Sequence, residues 1–176
     1  MQLQTTRLTL RELDPKLDNF ERYLEWMRDS VSNPFIEGVS NRLSMPDLIE
    51  YVHSKNESED SILMGIFTNK ESRHIGNVKL EPIFRGSYAY LGILIGDNEW
   101  RGKSVGKEAI SCVLDFSFDE LKLKEVRLGV DSTNTLARSL YSKIGFETTD
   151  LSAEGSSRLE MSIDSITWDK KRKSIL

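Results

Sequence analysis

Three β-rich runs joined by very short connections constrain the fold of this chain more than any other feature. The runs are SILMGIFTN (61–69), HIGNVKLEPI (74–83) and YAYLGILIG (88–96), and the connecting segments KESR and FRGS are typical of turns. Connections this short join neighbouring strands only when the strands run antiparallel. The centre of the chain is therefore predicted to be a three-stranded antiparallel meander.

The elements before and after the meander are predicted from the alternating or helical spacing of apolar residues. They are a strand, two helices, a long helix, a strand, a helix and two closing strands (7–13, 17–30, 44–52, 105–118, 125–131, 134–145, 146–150 and 158–163). Since strands and helices are mixed in this order, the predicted class is α/β, of the α+β type. We expect a mixed, mainly antiparallel sheet of about seven strands with about four helices.

Length and charge bound the organisation of the chain. Residues 1–176 are expected to form one domain, with a core of about 5–165 and a short basic tail that contains KKRK (170–173). This cluster is more typical of a solvated tail than of a phosphate-binding surface, and the net charge of −4 argues against a nucleic-acid partner.

The sequence argues against a disulfide, a Cys/His zinc site and a membrane location. Cys112 is the only cysteine, so no intramolecular disulfide forms, and with only His53 and His74 beside it no Cys/His zinc site is expected. No apolar run approaches the roughly 20 residues that cross a bilayer, and the first residues lack the apolar centre of a signal peptide. A metal held by carboxylates alone stays open on these counts. We expect a cytoplasmic protein with no membrane partner.

The segment EWRGKSVGKEA (99–109) combines glycine, lysine and serine, as nucleotide-binding loops do. A P-loop needs four residues between its glycines, whereas Gly96 and Gly102 are separated by five. The strand before it also closes a meander, while the strand before a P-loop normally belongs to a parallel βαβ unit. The better interpretation is a loop, Arg101 to Gly106, whose backbone N–H groups hold a pyrophosphate at the start of the long helix.

Two motifs resemble those of one enzyme superfamily. RGKSVG (101–106) matches the pattern Q/R-x-x-G-x-G/A, and Asn134 followed by LYSKIGF (140–146) matches a second landmark one helix later. Together with the order of elements, they resemble the GNAT superfamily of acetyl-CoA-dependent N-acetyltransferases over residues 5–165. The resemblance is greatest to the branch that holds ribosomal-protein N-terminal, spermidine and amino-sugar acetyltransferases.

This resemblance implies a fold and a reaction. The fold would be a single GNAT-like domain whose sheet splays between the fourth predicted strand (88–96) and the fifth (125–131). Acetyl-CoA would be the cosubstrate, with no metal, and a homodimer would be common for the fold. The acetyl group would pass by direct attack to a primary amine of a small molecule, such as an amino sugar or polyamine, or of a protein N-terminus.

The resemblance also implies which residues bind the cosubstrate. Free N–H groups at a bulge of the fourth strand would hold the pantetheine arm and the acetyl carbonyl, and the loop would hold the pyrophosphate. The expected cofactor-binding residues are Leu94, Ile95, Gly96, Arg101, Gly102, Lys103, Ser104, Val105, Gly106 and Asn134. Asn134 is equally typical of a helix N-cap. Ser104 stands where the family has a glycine, which predicts a weaker contact at that point.

For catalysis, the resemblance implies Tyr141 as the general acid that protonates the leaving thiolate. On the residues alone, Tyr141 is better interpreted as a core aromatic of its helix. Three carboxylates at strand ends could act as the general base, and Glu81 is preferred over Asp97 and Glu99, although such residues are usually just solvated. The acceptor would be bound by loop 32–38 and by the turn around 152–157.

A second hypothesis from another class remains open. The chain could be a catalytically silent GNAT-fold domain that serves as an acyl-CoA sensor or an interaction module. Tyr141 favours the enzyme, whereas the serine at position 104 leaves room for the silent domain.

Overall fold

The computed structural model describes residues 1–36, 38, 40–149 and 157–175. Within them, one open mixed sheet has the strand order β1-β2-β3-β4-β5-β6-β8-β7. The strands are β1 (Gln2–Gln4), β2 (Leu8–Arg11), β3 (Ile62–Thr68), β4 (His74–Phe84), β5 (Tyr88–Ile95), β6 (Glu125–Asp131), β7 (Glu147–Thr148) and β8 (Arg158–Asp164). The predicted meander is confirmed as β3, β4 and β5, which pair antiparallel in sequence order.

Five helices of the described residues cover the two faces of this sheet. They are α1 (Phe20–Arg28), α2 (Met45–Glu57), α3 (Val105–Asp119), α4 (Thr135–Ile144) and α5 (Ser165–Ile175). One core cluster joins α3, α4 and α5 to the sheet, and a second joins α1 and α2 to Leu63, Phe67 and Leu94 on the opposite face. The predicted α+β class is confirmed, with one strand and one helix more than expected.

Local signals place two helix starts where the sequence predicts them. The Ser44 hydroxyl accepts a hydrogen bond from the N–H of Asp47, and the Asp47 carboxylate accepts one from the N–H of Ser44, which together form a capping box. At α4, the Asn134 side chain accepts from the N–H of Ala137 at 3.2 Å. That helix ends at Gly145, whose φ of 120° lies in the region that favours glycine.

The splay between the fourth and fifth predicted strands is confirmed. β5 and β6 run parallel and pair only through Tyr88, Ala89 and Tyr90, opposite residues 125–127. Beyond Tyr90 the two strands separate, which opens a gap in the sheet. Register, however, shifts between Leu80 and Ile83 of β4, so the bulge expected in β5 lies in the neighbouring strand.

The basic C-terminal cluster (170–173) lies in α5, a helix that the sequence did not predict, and Lys170, Lys171 and Lys173 are exposed to solvent. Trp168, 1% exposed, packs into the core and donates from Nε1 to Asp115 at 2.8 Å. Arg172 pairs with Asp115 at 3.2 Å and with Asp119 at 2.6 Å. The buried Trp168 ring and the two acidic side chains of α3 therefore hold α5 against the core, which the basic composition of this segment does not predict.

Candidate active site

A cleft of about 630 Å³ passes through the sheet at the gap between β5 and β6. On one face it is lined by Tyr23 of α1 and Tyr51 of α2, and on the other by Leu140 and Tyr141 of α4. Gly92, Ile93 and Leu94 of β5 line it between the two faces, opposite Val130 of β6. Helices on both faces of the sheet can line the same cavity only because the sheet is open at this gap.

Backbone alternation in β5 determines which amides face the gap. The Ser87 carbonyl accepts from Lys124 N at 2.7 Å on the β6 side, whereas the Gly96 N–H donates to Ile75 O of β4 at 3.0 Å. Backbone groups alternate in direction along a strand, so odd-numbered residues face β6 and even-numbered ones face β4. The N–H groups of Ile93 and Ile95 therefore point into the gap.

The expectation of free N–H groups at Leu94 and Gly96 is wrong, because the Gly96 N–H is bonded to Ile75 O. The same alternation turns the Leu94 amide toward its partner Asn77 in β4, although Leu94 still lines the cleft. Gly96 has a different role, since a Cβ there would lie 2.0 Å from the Trp26 ring. A glycine at 96 allows Trp26 to pack on the strand end.

The loop before α3 has the amide arrangement that an anion requires. The first intrahelical bond of α3 runs from Glu108 N to Ser104 O at 3.1 Å, and the N–H groups of residues 102–107 have no acceptor within the part of the chain that the structure describes. Such a run of unpaired donors at a helix start attracts phosphate oxygens. Ser104 has φ of 61°, so the family's glycine position is a left-handed one, which serine adopts at some strain.

Arg101 is placed differently from the expectation that it contacts the cosubstrate. Its guanidinium donates to Ile95 O at 2.8 Å, Ser32 O at 3.0 Å and Asn33 Oδ1 at 2.6 Å, and its N–H donates to Asn98 O at 3.4 Å. We therefore assign Arg101 a positioning role, in which it joins the end of β5 to the loop after α1.

The other loop residues fit a cofactor-binding role. Lys103 is exposed, with its ammonium 5.3 Å from the centre of the Trp100 ring. Val105 is buried and anchors the first turn of α3. A Cβ at Gly106 would lie 3.7 Å from Leu140 Cδ2 and 3.8 Å from Ile95 Cγ1, so the start of α3 borders the cleft.

Tyr141 lines the cleft from α4. Its ring is 9% exposed and makes an edge contact with Phe146 at 5.9 Å between centroids. Burial raises the pKa of Tyr141 to about 12, so the hydroxyl carries its proton at neutral pH. Within the described residues this hydroxyl has no hydrogen-bond partner. Tyr141 is thus a core aromatic that also lines the cleft, and its role as a proton donor stays a prediction.

The sequence left two roles open for Asn134, a helix N-cap and a contact with the cosubstrate. Its side chain caps α4 through Ala137 N, and the residue lines the cleft. The N-cap role is confirmed, and a contact with the cosubstrate stays a prediction.

Of the three candidate bases, the structure brings Glu81 to the cleft. It forms ion pairs with Lys55 and, at 3.4 Å, with Lys79. Burial alone would raise the pKa of Glu81, but the Lys55 hydrogen bond and the charges of both lysines outweigh it and hold the pKa below its usual value. Asp97 and Glu99 lie outside the lining and both pair with Arg73, each at 2.7 Å.

Sequence reasoning missed the polar row of β4 that leads to Glu81. Asn77, Lys79 and Glu81 occupy alternate positions of one strand, so they share a face, and all three line the cleft. Every second residue of NVKLE (77–81) is polar, and this pattern in the central strand of the meander could have indicated them.

The acceptor loops are described only in part. Pro34, Phe35 and Ile36 line the cleft as expected for loop 32–38, whereas Glu37 lies outside the described residues. Of the turn at 152–157, only Ser157 is described, and it lines the cleft.

No group of three or more His, Cys, Asp or Glu side chains that could hold a metal occurs in the described part of the chain. Across those same ranges, none of the helices is long and apolar enough to span a bilayer.

A sheet opened between parallel strands, beside a helix start rich in unpaired amides, defines an acyltransferase of the CoA-dependent kind. Residues 7–147 match the model of the acetyltransferase (GNAT) domain, and the chain belongs to this family of N-acetyltransferases. It is 32% identical over 143 residues to YjcK of Bacillus subtilis (strain 168), described as a probable N-acetyltransferase, covering 80% of this chain and 72% of that protein.

Solved structures show the same fold. A GNAT-family acetyltransferase from Bacillus anthracis superposes with a TM-score of 0.77 at 18% identity, covering 93% of this chain and 98% of the other. Spermidine N-acetyltransferase from Vibrio cholerae, in complex with CoA and spermine, gives a TM-score of 0.77 at 22% identity, covering 93% and 99%.

Proposed function

We propose that this N-acetyltransferase transfers the acetyl group of acetyl-CoA to a primary amine of a small molecule or of a protein N-terminus by direct attack. The observation that carries the proposal is the Tyr141 side chain, which lines the cleft at the gap and whose protonated hydroxyl has no hydrogen-bond partner within the described residues. Amide formation from a thioester needs a donor for the departing sulfur, and this hydroxyl is placed to be one.

The residues at the gap fit acetyl-CoA. The unpaired N–H groups of residues 102–107 would hold its pyrophosphate, and the gap-facing N–H groups of Ile93 and Ile95 would hold the pantetheine arm. The cosubstrate supplies an activated acetyl thioester. Asn134, at the start of α4 and in the lining, is a further proposed contact.

The same gap amides support the reaction itself. A backbone N–H that has no partner in the sheet donates to the carbonyl oxygen as negative charge develops there. Because the amide is part of a strand, it needs no rearrangement at the moment of reaction. As the C–S bond breaks, Tyr141 Oη gives its proton to the sulfur, and the phenolate that remains takes the proton that the attacking nitrogen loses when the amide forms. The raised pKa of Tyr141, about 12, makes this return of the proton favourable.

Glu81 was the preferred general base, and its environment makes it a weak one. Two lysines stabilise its charged form, so at neutral pH it has little tendency to take a proton from an ammonium. We propose that Glu81 instead holds Lys55 and Lys79 at the acceptor end of the cleft, and that the amine enters the reaction in its neutral form.

An acceptor screen tests the proposed function. The protein is incubated with saturating acetyl-CoA and a panel of primary amines, and free thiol and acetylated product are followed together. We expect amine-dependent thiol release and a product heavier by one acetyl group. Binding of acetyl-CoA without amine-dependent release would favour the silent sensor domain and overturn the proposal.

A homodimer and a cytoplasmic location stay predictions, which sedimentation and cell fractionation would test.

A further inference from the structure

The acceptor end of the cleft presents hydrogen-bond donors along β4. Asn77 and Lys79 lie opposite Leu94 and Gly92 of β5. The Lys79 stem lies across β5, because its Cγ and Cε would each be 3.3 Å from a Cβ at Gly92. A glycine at 92 thus leaves the space through which this ammonium reaches the lining.

The amide of Asn77 has a defined orientation. His74 Nε2 lies 3.0 Å from Gly76 O and 2.9 Å from Asn77 Oδ1. A backbone carbonyl can only accept, so Nε2 carries the proton and the amide oxygen of Asn77 faces the ring. Burial lowers the pKa of His74, which keeps the ring neutral in this arrangement.

This orientation leaves the amide nitrogen of Asn77 as a donor without a partner. Asn77 is 5% exposed and lines the cleft, and its Nδ2 is buried with no hydrogen bond. Buried polar groups are almost always hydrogen-bonded in native proteins, so an unpaired one beside a cavity indicates a missing acceptor atom. An oxygen of a bound molecule would supply it.

The charged side chains near Asn77 Nδ2 indicate whether the ligand oxygen that it binds is neutral or negatively charged. Glu81 is the carboxylate of the row, and two ammonium groups, those of Lys55 and Lys79, are paired with it. Glu81 with Lys55 and Lys79 carries one excess positive charge, and the other two charged residues of the lining, Asp131 and Arg158, are opposite in sign and do not change this sum. An ammonium-rich acceptor would be repelled there, whereas an oxyanion would complete the pairing.

We propose that Asn77 Nδ2 and Lys79 Nζ form a subsite for an oxyanion of the acceptor, so that the natural substrate is an amine that also carries a carboxylate or a phosphate. This inference rests on the proposed function and narrows its substrate class. It excludes polyamines as preferred acceptors, although a solved structure with the same fold is a spermidine N-acetyltransferase. At that structure's 22% identity the likeness concerns the fold alone.

Matched pairs of acceptors test the inference. L-phenylalanine is compared with L-phenylalaninamide, and glucosamine 6-phosphate with glucosamine, with spermidine as the polycation. We expect the anionic member of at least one pair to exceed its neutral partner at least about tenfold in kcat/KM, as loss of a charge-assisted hydrogen bond implies. The pair that shows the difference identifies the source of the oxyanion. Equal values within both pairs, or spermidine as the best substrate, would overturn the inference.

Variants connect the preference to the two residues. Lys79→Met should raise KM for the anionic acceptor about tenfold with little change in kcat. Asn77→Asp keeps an oxygen for His74 but replaces the unpaired donor by a negative charge, so it should abolish the anionic preference. Lys70→Met, exposed in the turn between β3 and β4, is the matched control. An unchanged KM in a folded Lys79→Met protein would contradict the subsite.

A binding measurement separates this inference from the proposed function. L-phenylalanine, L-phenylalaninamide, glucosamine 6-phosphate and glucosamine are titrated calorimetrically into the CoA-saturated protein and into Lys79→Met. If the screen finds no acetylation but the wild type binds one anion at least about tenfold more tightly than the variant, the proposed function fails and the subsite stands. If acetylation occurs and neither anion binds in preference to its neutral partner, the subsite fails and the proposed function stands.

Discussion

The Arg101 guanidinium donates to Oδ1 of Asn33 at 2.6 Å, and through this bond the residue that opens the cofactor loop holds the loop after α1. Asn33 is 5% exposed and donates in turn to Trp26 O at 3.0 Å. Pro34, Phe35 and Ile36 line the cleft directly after Asn33. The loop proposed to hold the pyrophosphate and the loop proposed to bind the acceptor are therefore joined by one part-buried hydrogen bond.

Arg101→Gln tests this connection. Removing the guanidinium leaves the buried Asn33 oxygen and the Ile95 carbonyl without their donors, which should lower the free energy of unfolding by about 2 kcal/mol. The acceptor KM should also rise, since loop 32–36 loses its support. Denaturant unfolding and acceptor titration measure both. Arg85→Gln, on the exposed turn between β4 and β5, is the control, and equal stability of the two variants would contradict the positioning role.

Ser104→Gly tests the strained position at the start of α3. Serine pays about 1–2 kcal/mol in the left-handed region, and glycine loses about 0.5–1 kcal/mol more backbone entropy on folding, so the net stability gain should be about 0.5–1 kcal/mol. Acetyl-CoA should bind equally or more tightly, because the N–H groups are unchanged. Ser104→Ala separates the hydroxyl from the backbone. A large loss of affinity in both variants would show that the hydroxyl itself binds the cosubstrate.

Gly106 allows a graded test of the loop as the pyrophosphate site. A Cβ at this position meets only ordinary contacts, at 3.7 Å and 3.8 Å, so Gly106→Ala should fold normally with a small effect on binding. Gly106→Leu extends into the border of the cleft and should raise the acetyl-CoA dissociation constant at least about tenfold, or about 1.4 kcal/mol. Calorimetric titration measures the constants. Unchanged affinity in a folded leucine variant would remove the pyrophosphate from this loop.

The pH dependence of stability should report the pairing of Glu81. Its folded pKa lies below the unfolded value of about 4.3, so its stabilising contribution is present above that pH and is lost as the pH falls through the folded pKa. Glu81→Gln should therefore flatten the acid limb of the unfolding free energy, whereas Glu59→Gln, an exposed carboxylate, should not. Identical acid limbs for the wild type and Glu81→Gln would contradict the ion pairing.

The sequence predicts those parts of the fold that local chemistry determines. Ser44 with Asp47 and Asn134 with Gly145 mark helix ends by short-range hydrogen bonds, and the meander follows from turn length. Which β5 amides face the gap depends on strand register, because a slip of one residue would exchange the Leu94 and Ile93 amides without any change in the local sequence pattern. The hydrogen bonds from Trp168 to Asp115 and from Arg101 to Asn33 join residues that are far apart in the chain, so the local sequence does not predict them.

Tyr141→Phe decides between packing and catalysis at the centre of the site. The substitution keeps the ring against Phe146 and removes only the hydroxyl, which has no hydrogen-bond partner within the described residues. Melting temperature and acetyl-CoA affinity should therefore hardly change. Turnover should fall toward the lower end of the roughly 10²- to 10⁴-fold range of general acid catalysis, because a thiolate is already a fair leaving group. A variant that loses stability but keeps turnover per folded molecule would make Tyr141 a core residue alone, and wild-type turnover with unchanged stability would leave the proton donor to be sought elsewhere in the cleft.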